Sequence, residues 1–280
     1  MEESDYIPDA EYRAAPGLSY SELCHLMRSP AHLQEYRRNP PERTKAMALG
    51  AALHIKLLEP DRFTEEYVCF DDTEFVESLR QRGNKNPRAT NDYKDFKQQF
   101  ELVTEGKEIL TAEEYQQISN MAASALEHPA AGGLLRLPGN VEMSLYWKDA
   151  ESGVDMKARL DKYISSGRIV DIKTTDNASA DFFQRSIWNY NYYLQAAVYS
   201  TGVKEALKTE PGSYTLIAIE KNPPYAVAVY ELDEVSMELG LLRMRSLIDL
   251  YAECLRADDW PGYSNRIESI SLPSYAAAAM

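Results

Sequence analysis

Two aspartates and a lysine lie close together in the segment RLDKYISSGRIVDIKTT, residues 159–175. The segment predicts two short strands joined by a turn that contains Gly167, and its notable polar residues are Asp161, Asp171 and Lys173. Mg²⁺ prefers oxygen ligands, so two carboxylates and a backbone carbonyl can hold an ion. Such an ion activates water and stabilises a leaving oxyanion, and a nearby lysine can orient or deprotonate that water. These residue types therefore suit metal-dependent hydrolysis of a phosphodiester.

The length of the turn decides whether the three side chains converge. Asp171 and Lys173 are two residues apart in one strand, so they share a face of the sheet. A two-residue turn would place Asp161 on the opposite face, whereas a three-residue loop at 165–167 would pair it with Asp171. In the longer loop, Gly167 takes the position that requires a positive φ. The position of this glycine favours the arrangement in which the three residues converge.

Helical patterns precede this hairpin. A first helix begins with Ser19 or Ser21 as its cap and is interrupted by Pro30. A second helix occupies residues 44–59. Because its residues are small and apolar on nearly every side, we expect this second helix to be buried.

From residue 140 the pattern changes to three strands, a long aromatic helix, a further hairpin and a final amphipathic helix. This order predicts an α/β or α+β fold around a central mixed sheet. We expect a single domain over residues 1–280. It would consist of a mainly helical part (1–135), a β-sheet core (136–256) and a C-terminal tail (257–280).

Composition and charge restrict the functional class. Hydrophobic residues make up 44% of the 280-residue chain and charged residues 26%, as in a folded protein. No apolar run approaches the roughly 20 residues needed to span a bilayer, and the acidic N-terminus is unlike a signal peptide, so we expect a cytoplasmic protein without membrane contact.

The net charge of −14 argues against indiscriminate binding to polyanions. Two basic segments, 28–45 and 80–97, are either local nucleic-acid surfaces or ordinary solvated segments.

The spacing of Asp161, Asp171 and Lys173 resembles the PD-(D/E)xK nuclease motif, with Leu160 in place of the motif's proline. Four other segments extend the resemblance. MALGAALHIKLLEP is similar to the helix of RecB-like nucleases that carries a metal-binding histidine, and YYLQAAVYS is similar to their Q-x-x-x-Y helix. GLSYSELCHLMRSPAHLQEYRRNPP and DDWPGYSNRIESISLP are similar to the C-terminal nuclease domain of RecE-type exonucleases (exonuclease VIII). The resemblance covers about residues 6–276.

This resemblance implies an α/β fold of the restriction-endonuclease type, with an N-terminal helical elaboration that carries His54. It implies a Mg²⁺ site, which Mn²⁺ can also occupy, formed by His54, Asp161, Asp171 and the carbonyl of Ile172. Lys173 would be the catalytic lysine, acting with the two aspartates. Without the resemblance, a histidine on an apolar helix would be a satisfied core residue. Glu142, at the start of a strand that leads to the site, is either an outer residue of the metal site or exposed.

Four residues of the helix predicted over 186–200 share one face, namely Trp188, Tyr192, Gln195 and Tyr199. We predict that Trp188 lies in the core. A buried amide needs partners, and the resemblance places Gln195 and Tyr199 beside the active site, where they would bind the DNA backbone or orient the catalytic lysine.

Arg28 is predicted to hold a DNA phosphate, together with Ser21 at a helix N-terminus. Both residues belong to the segment that resembles RecE-type exonucleases. This pair is a candidate contact to the DNA backbone.

The resemblance as a whole implies a Mg²⁺-dependent 5′-to-3′ exonuclease that acts on linear double-stranded DNA. It would leave 3′ overhangs for homologous recombination by a RecT-like single-strand annealing protein, and would form a ring-shaped homo-oligomer in a bacterial or phage-infected cell. A related PD-(D/E)xK endonuclease and a non-catalytic scaffold that binds DNA ends are the alternatives. An iron–sulfur nuclease is excluded because the chain has three scattered cysteines instead of the four ligands required.

Overall fold

The structure is a computed structural model that describes residues 7–271. Within this range the chain forms twelve α-helices and seven β-strands. The helices are α1 (Asp9–Ala14), α2 (Tyr20–Arg28), α3 (Pro30–Arg38), α4 (Lys45–Leu58), α5 (Pro60–Glu66), α6 (Thr73–Gln81), α7 (Asn91–Val103), α8 (Ala112–Glu127), α9 (Pro129–Arg136), α10 (Ala180–Asn189), α11 (Tyr192–Leu207) and α12 (Glu234–Ala257). The strands are β1 (Tyr67–Phe70), β2 (Glu108–Thr111), β3 (Gly139–Lys148), β4 (Asp155–Ile164), β5 (Ile169–Thr175), β6 (Tyr214–Glu220) and β7 (Val227–Glu231).

A five-stranded mixed sheet with the order β3-β4-β5-β6-β7 forms the centre of the protein. The first three strands are antiparallel to one another, β5 and β6 are parallel, and β6 and β7 are antiparallel. A parallel pair requires a crossover connection, and α10 and α11 provide it. The predicted α/β fold with a central mixed sheet is confirmed. A separate small sheet pairs β1 with β2.

Apolar layers cover both faces of the sheet. On one face, α2, α3, α11 and α12 pack over residues such as Leu160 and Leu216. On the other face, α4, α8 and α9 pack over Val170, Ile172 and Ile217. Because successive strand residues point to opposite faces, β5 and β6 contribute to both cores and are buried on both sides. Within residues 7–271, no helix combines the length and the apolar character needed to cross a membrane.

The second predicted helix, α4, is less buried than its sequence suggests. Thr44 caps it and Leu53 packs into the core, as expected. However, the side that carries Ala46, Met47 and Gly50 lines an open cleft, and Met47 is 55% exposed. The expectation of burial on every side is wrong because small apolar residues also form the wall of a cleft that a ligand can fill.

The predicted long aromatic helix is two helices. The chain breaks between α10 and α11 at Asn191, whose φ of +56° is a left-handed conformation that asparagine tolerates better than most residues. Trp188 is 57% exposed and stacks on Tyr193, so the prediction that Trp188 lies in the core is wrong.

Candidate active site

The β4–β5 hairpin has the register that brings the two aspartates together. Tyr163 pairs with Ile169, and the N–H of Ile164 donates to the carbonyl of Arg168 at 2.9 Å, which leaves a three-residue loop at 165–167. Gly167 has a φ of +89°. The three-residue loop predicted from the glycine is therefore confirmed.

We expect Gly167→Ala to lower the stability of the protein. Left-handed strain costs about 1–2 kcal/mol for a residue with a side chain. In addition, a Cβ at Gly167 would lie 3.1 Å from the backbone nitrogen of Gly212, in the loop before β6. Gly153→Ala is the matched control, since its φ is +74° but a Cβ there meets nothing within 4 Å. Thermal unfolding of both variants would test this, and an equal loss of stability would contradict the close packing of the hairpin loop.

The two strands separate where the hairpin reaches the active site. Regular pairing extends only to Lys162 and Val170. Beyond it, the N–H of Ile172 donates to Oδ2 of Asp161 at 2.8 Å. The Asp161 carboxylate therefore replaces a backbone acceptor of the sheet and is held in the gap between β4 and β5.

Asp171 and Lys173 form a buried ion pair on β5. Asp171 is fully buried, and its Oδ2 lies 2.6 Å from Nζ of Lys173. Burial raises the pKa of Asp171 to about 6, although the ammonium of Lys173 opposes this shift. Burial lowers the pKa of Lys173, but the carboxylates of Asp171 and Asp161 outweigh it and raise that pKa above its ordinary value. The pair is held together by its own charges, with both side chains largely shielded from solvent.

Gln195 positions Asp171 from the opposite side. Its Nε2 donates to Oδ1 of Asp171 at 3.0 Å and lies 3.0 Å from the hydroxyl of Tyr199. The expectation that the buried amide has partners is thus confirmed. Gln195 is 5% exposed and Tyr199 is 9% exposed, so neither can reach DNA. The predicted contact of Tyr199 with DNA is wrong, because this residue lies behind Asp171 in the core, and Gln195 contacts Asp171 instead of Lys173.

His54 projects from α4 towards the same gap between the strands. Its Nδ1 lies 3.5 Å from Oδ2 of Asp161, and its Nε2 lies 2.9 Å from the carbonyl oxygen of Ile172. The tautomer decides which ring nitrogen donates a hydrogen bond and which is free to bind a metal. The histidine therefore joins two of the groups that the resemblance implies as metal ligands, Asp161 and the carbonyl of Ile172.

Glu142 reaches the site through an irregular residue of β3. It has a φ of +47°, and it lies opposite Asp161 at a point where the regular pairing of β3 and β4 is interrupted. A left-handed glutamate within a strand is strained, and such strain is typical of functional sites. Burial raises the pKa of Glu142 to about 8, and the negative charge of Asp161 adds to this shift. The alternative that Glu142 is simply exposed is wrong.

The side chains of His54, Glu142 and Asp161 fit a divalent cation. One ligand atom from each of the three lies within 4.8 Å of the others. The donor set of an imidazole and two carboxylates suits such an ion. Burial and the negative charge of Asp161 outweigh the opposing charges of Arg159 and Arg62 and raise the pKa of Glu142, so a bound cation would favour its ionised form. Asp171 is not part of this group of three, because it is engaged by Lys173 and Gln195.

The site lies at the bottom of a cleft of about 820 Å³ between α4 and α10. His54, Ile172 and Lys173 line its floor. Ala46, Met47 and their neighbours form one wall, and the start of the crossover forms the other. A substrate in this cleft would place its reacting group beside His54 and Lys173.

Comparison with known proteins identifies the family. Residues 19–273 match the model of a family described as a "PDDEXK-like domain of unknown function (DUF3799)". The chain belongs to this family. The assignment confirms the predicted PD-(D/E)xK class and restriction-endonuclease-like fold, and it places the protein among enzymes of the nuclease type. A comparison with curated proteins by sequence finds no match.

One solved structure shares the fold of this chain, and a second is reported beside it as a weaker match. A crystal structure of a "Putative exonuclease" from Eubacterium rectale is 12% identical, with a TM-score of 0.58 and coverage of 98% of both chains. A phage related exonuclease from Haemophilus somnus 129PT is 11% identical, with a TM-score of 0.33, and the match covers 61% of this chain and 85% of that one. At these identities the first comparison shows the fold alone.

Two predicted DNA contacts of this PDDEXK-like chain lie apart from each other. Ser19, and not Ser21, caps α2, where it forms a reciprocal pair of hydrogen bonds with Glu22. Ser21 and Arg28 are exposed at opposite ends of α2, roughly 10 Å apart along the helix axis at 1.5 Å per residue. They therefore do not form one phosphate site, and neither lines the cleft.

The two basic segments are partly neutralised. In the first, Nε of Arg37 lies 2.7 Å from Oε1 of Glu22. In the second, Nε of Arg88 lies 2.8 Å from Oδ2 of Asp72, which also accepts from the hydroxyl of Tyr93. These arginines stabilise the fold, which favours the interpretation of both segments as largely solvated structure.

Proposed function

We propose that this PDDEXK-like protein is a Mg²⁺-dependent 5′-to-3′ exonuclease that acts on linear double-stranded DNA and leaves 3′ single-stranded overhangs. The observation that carries the proposal is the grouping of His54, Glu142 and Asp161 beside the Asp171–Lys173 ion pair. His54 and Lys173 connect this group to the cleft, which they line. A cation at such a group can activate water for hydrolysis of a phosphodiester, and a lysine beside it can offset the charge that develops.

Each residue of the site would have a separate role in the reaction. A cation held by His54, Glu142 and Asp161 would polarise the phosphate and activate water. The ammonium of Lys173 faces the same space, where it can stabilise the charge that develops on the phosphate oxygens. Asp171 fixes the position of that ammonium at 2.6 Å, and Gln195 fixes Asp171. The low exposure of the site keeps these charges strong.

The direction and context of the reaction come from the resemblance to RecE-type exonucleases. It supports the 5′-to-3′ polarity, the partnership with a RecT-like annealing protein in recombination, a ring-shaped homo-oligomer and a location in the cytoplasm of a bacterial or phage-infected cell. The description of the structurally similar Eubacterium rectale protein as an exonuclease agrees with an enzyme that acts at DNA ends. A ring would confine the DNA despite the net charge of −14.

Digestion of labelled DNA tests this proposal. With Mg²⁺ or Mn²⁺, the purified full chain should release nucleotides from linear duplexes and leave covalently closed circular duplexes intact. A label at each end in turn assigns the polarity, since a 5′-to-3′ enzyme releases a 5′ label first and leaves the 3′ label on a long product. Cleavage of the closed circles would indicate the endonuclease, and inertness on every substrate with either metal would indicate the non-catalytic scaffold.

A further inference from the structure

The cleft wall opposite α4 carries side chains that the proposed catalysis does not use. Phe182, Arg185 and Asn189 follow one another at helical spacing on α10, and all line the cleft. Each is exposed, and Phe182 retains 43% of its surface. Among the described residues, no carboxylate lies within ion-pair distance of Arg185. This helix face therefore offers three groups to a ligand. The aromatic ring can stack, the free guanidinium can pair with a negative charge, and the amide can form hydrogen bonds.

A series of aromatic rings connects this wall with the catalytic lysine. Nζ of Lys173 lies 4.7 Å from the centre of the Tyr192 ring. Tyr192 in turn stacks on Tyr190, with ring centres 5.7 Å apart and an angle of 25° between the planes. Tyr190 is 62% exposed and lines the cleft. The series therefore runs from the reaction centre to the solvent.

The backbone holds this series in place. The left-handed conformation of Asn191 separates α10 from α11 and lies between the two stacked tyrosines. The hydroxyl of Tyr20, on α2, donates to the carbonyl of Tyr190. An exposed ring is costly to maintain in water, yet Tyr192 holds one face of this ring and Tyr20 holds its backbone carbonyl. This arrangement is expected if the other face, which is open to solvent, has a ligand.

We infer that the cleft holds a single, unpaired strand of DNA, with nucleobases stacked on Tyr190 and Phe182 and a backbone phosphate near Arg185. Inside a duplex the base faces are covered by stacking and the grooves present only base edges, so apart from the terminal base pair, base faces are available only in an unpaired strand. The volume of about 820 Å³ lies in the range of pockets for small groups, roughly 300–1,000 Å³, so the cleft suits a few nucleotides and not a duplex. This inference rests on the proposed nuclease function and adds that the end of the duplex must open before cleavage.

Binding of a fluorescently labelled twelve-residue oligothymidylate, measured by anisotropy without metal, tests the stacking. Phe182→Ala and Tyr190→Ala should each weaken binding roughly 5- to 150-fold, the factor that corresponds to about 1–3 kcal/mol of stacking per base. Phe182→Tyr should retain affinity because it keeps the ring. Trp188→Ala is the matched control, because Trp188 is an equally exposed aromatic of α10 that does not line the cleft.

A second measurement tests the opening of the duplex. In the presence of Mg²⁺, a duplex with an interstrand cross-link in its terminal base pair should resist digestion, whereas mismatched ends should raise kcat/KM at least tenfold over paired ends. The inference is overturned if the wild-type protein does not bind the oligothymidylate, if both alanine variants bind it like the wild type, or if the cross-linked end is digested at the normal rate. Failure of the wild type to cut any DNA would instead refute the proposed function, and the metal-free binding assay would still decide on the stacking.

Discussion

Replacing Lys173 with alanine should lower the rate of DNA cleavage by about 100- to 1,000-fold, the usual effect of removing one group that stabilises transition-state charge. The loss should appear in kcat, because the ammonium lies at the cleft floor beside Asp171 and away from the exposed rings that would bind the strand. Binding of single-stranded DNA should therefore survive. Full activity of Lys173→Ala would refute the proposed mechanism.

Two further variants separate loss of catalysis from loss of stability. Lys173→Ala leaves Asp171 buried without its partner, and an unpaired buried charge is destabilising. The double variant Lys173→Ala with Asp171→Asn removes both charges, so it should unfold at a higher temperature than the single variant and remain inactive. Lys204→Ala removes an exposed lysine of α11 that lies in an ion pair with Glu210, and it should cleave at the wild-type rate.

The hairpin could be predicted from sequence because its geometry is local. The position of Gly167 restricts the loop to three residues, and the alternation of side chains along a strand then fixes which residues meet. His54 could not be placed in this way, because it lies 88 positions (142 − 54) before Glu142, the next member of the site along the chain. Only the fold brings the two residues together. The resemblance to known nucleases supplied it.

Glu142 and the cleft wall illustrate what local patterns cannot predict. A left-handed glutamate inside a strand leaves no signal in the alternation of polar and apolar residues, so the sequence left open whether Glu142 belongs to the metal site or is exposed. Likewise, hydrophobicity does not distinguish a core from a cleft, which explains the error for α4, and it does not show that Trp188 is exposed. Asn191 within the run WNYNYY was a usable signal for a helix break, because asparagine favours turns and left-handed positions.

Glu142→Gln should have opposite effects on the metal-free and the metal-loaded protein. The folded-state pKa of Glu142, about 8, is raised above the ordinary value of 4.5. The carboxyl group therefore binds its proton more strongly in the folded state than in the unfolded state. The stability that this proton binding contributes is lost as the pH rises from about 4.5 to 8. Without metal, Glu142→Gln should unfold at a higher temperature than the wild type at pH 8, and this gain should disappear near pH 4.5.

Divalent metal should reverse that order. A cation that binds only the folded state stabilises it in proportion to the logarithm of its concentration above Kd. The wild type should therefore gain more from Mg²⁺ or Mn²⁺ than Glu142→Gln, which has lost a charged ligand. Asp155→Asn is the matched control, because it removes an exposed carboxylate of β4 outside the group of candidate ligands. Equal stabilisation of the wild type and Glu142→Gln by metal would exclude Glu142 as a ligand, and titration calorimetry on both proteins would give the affinities directly.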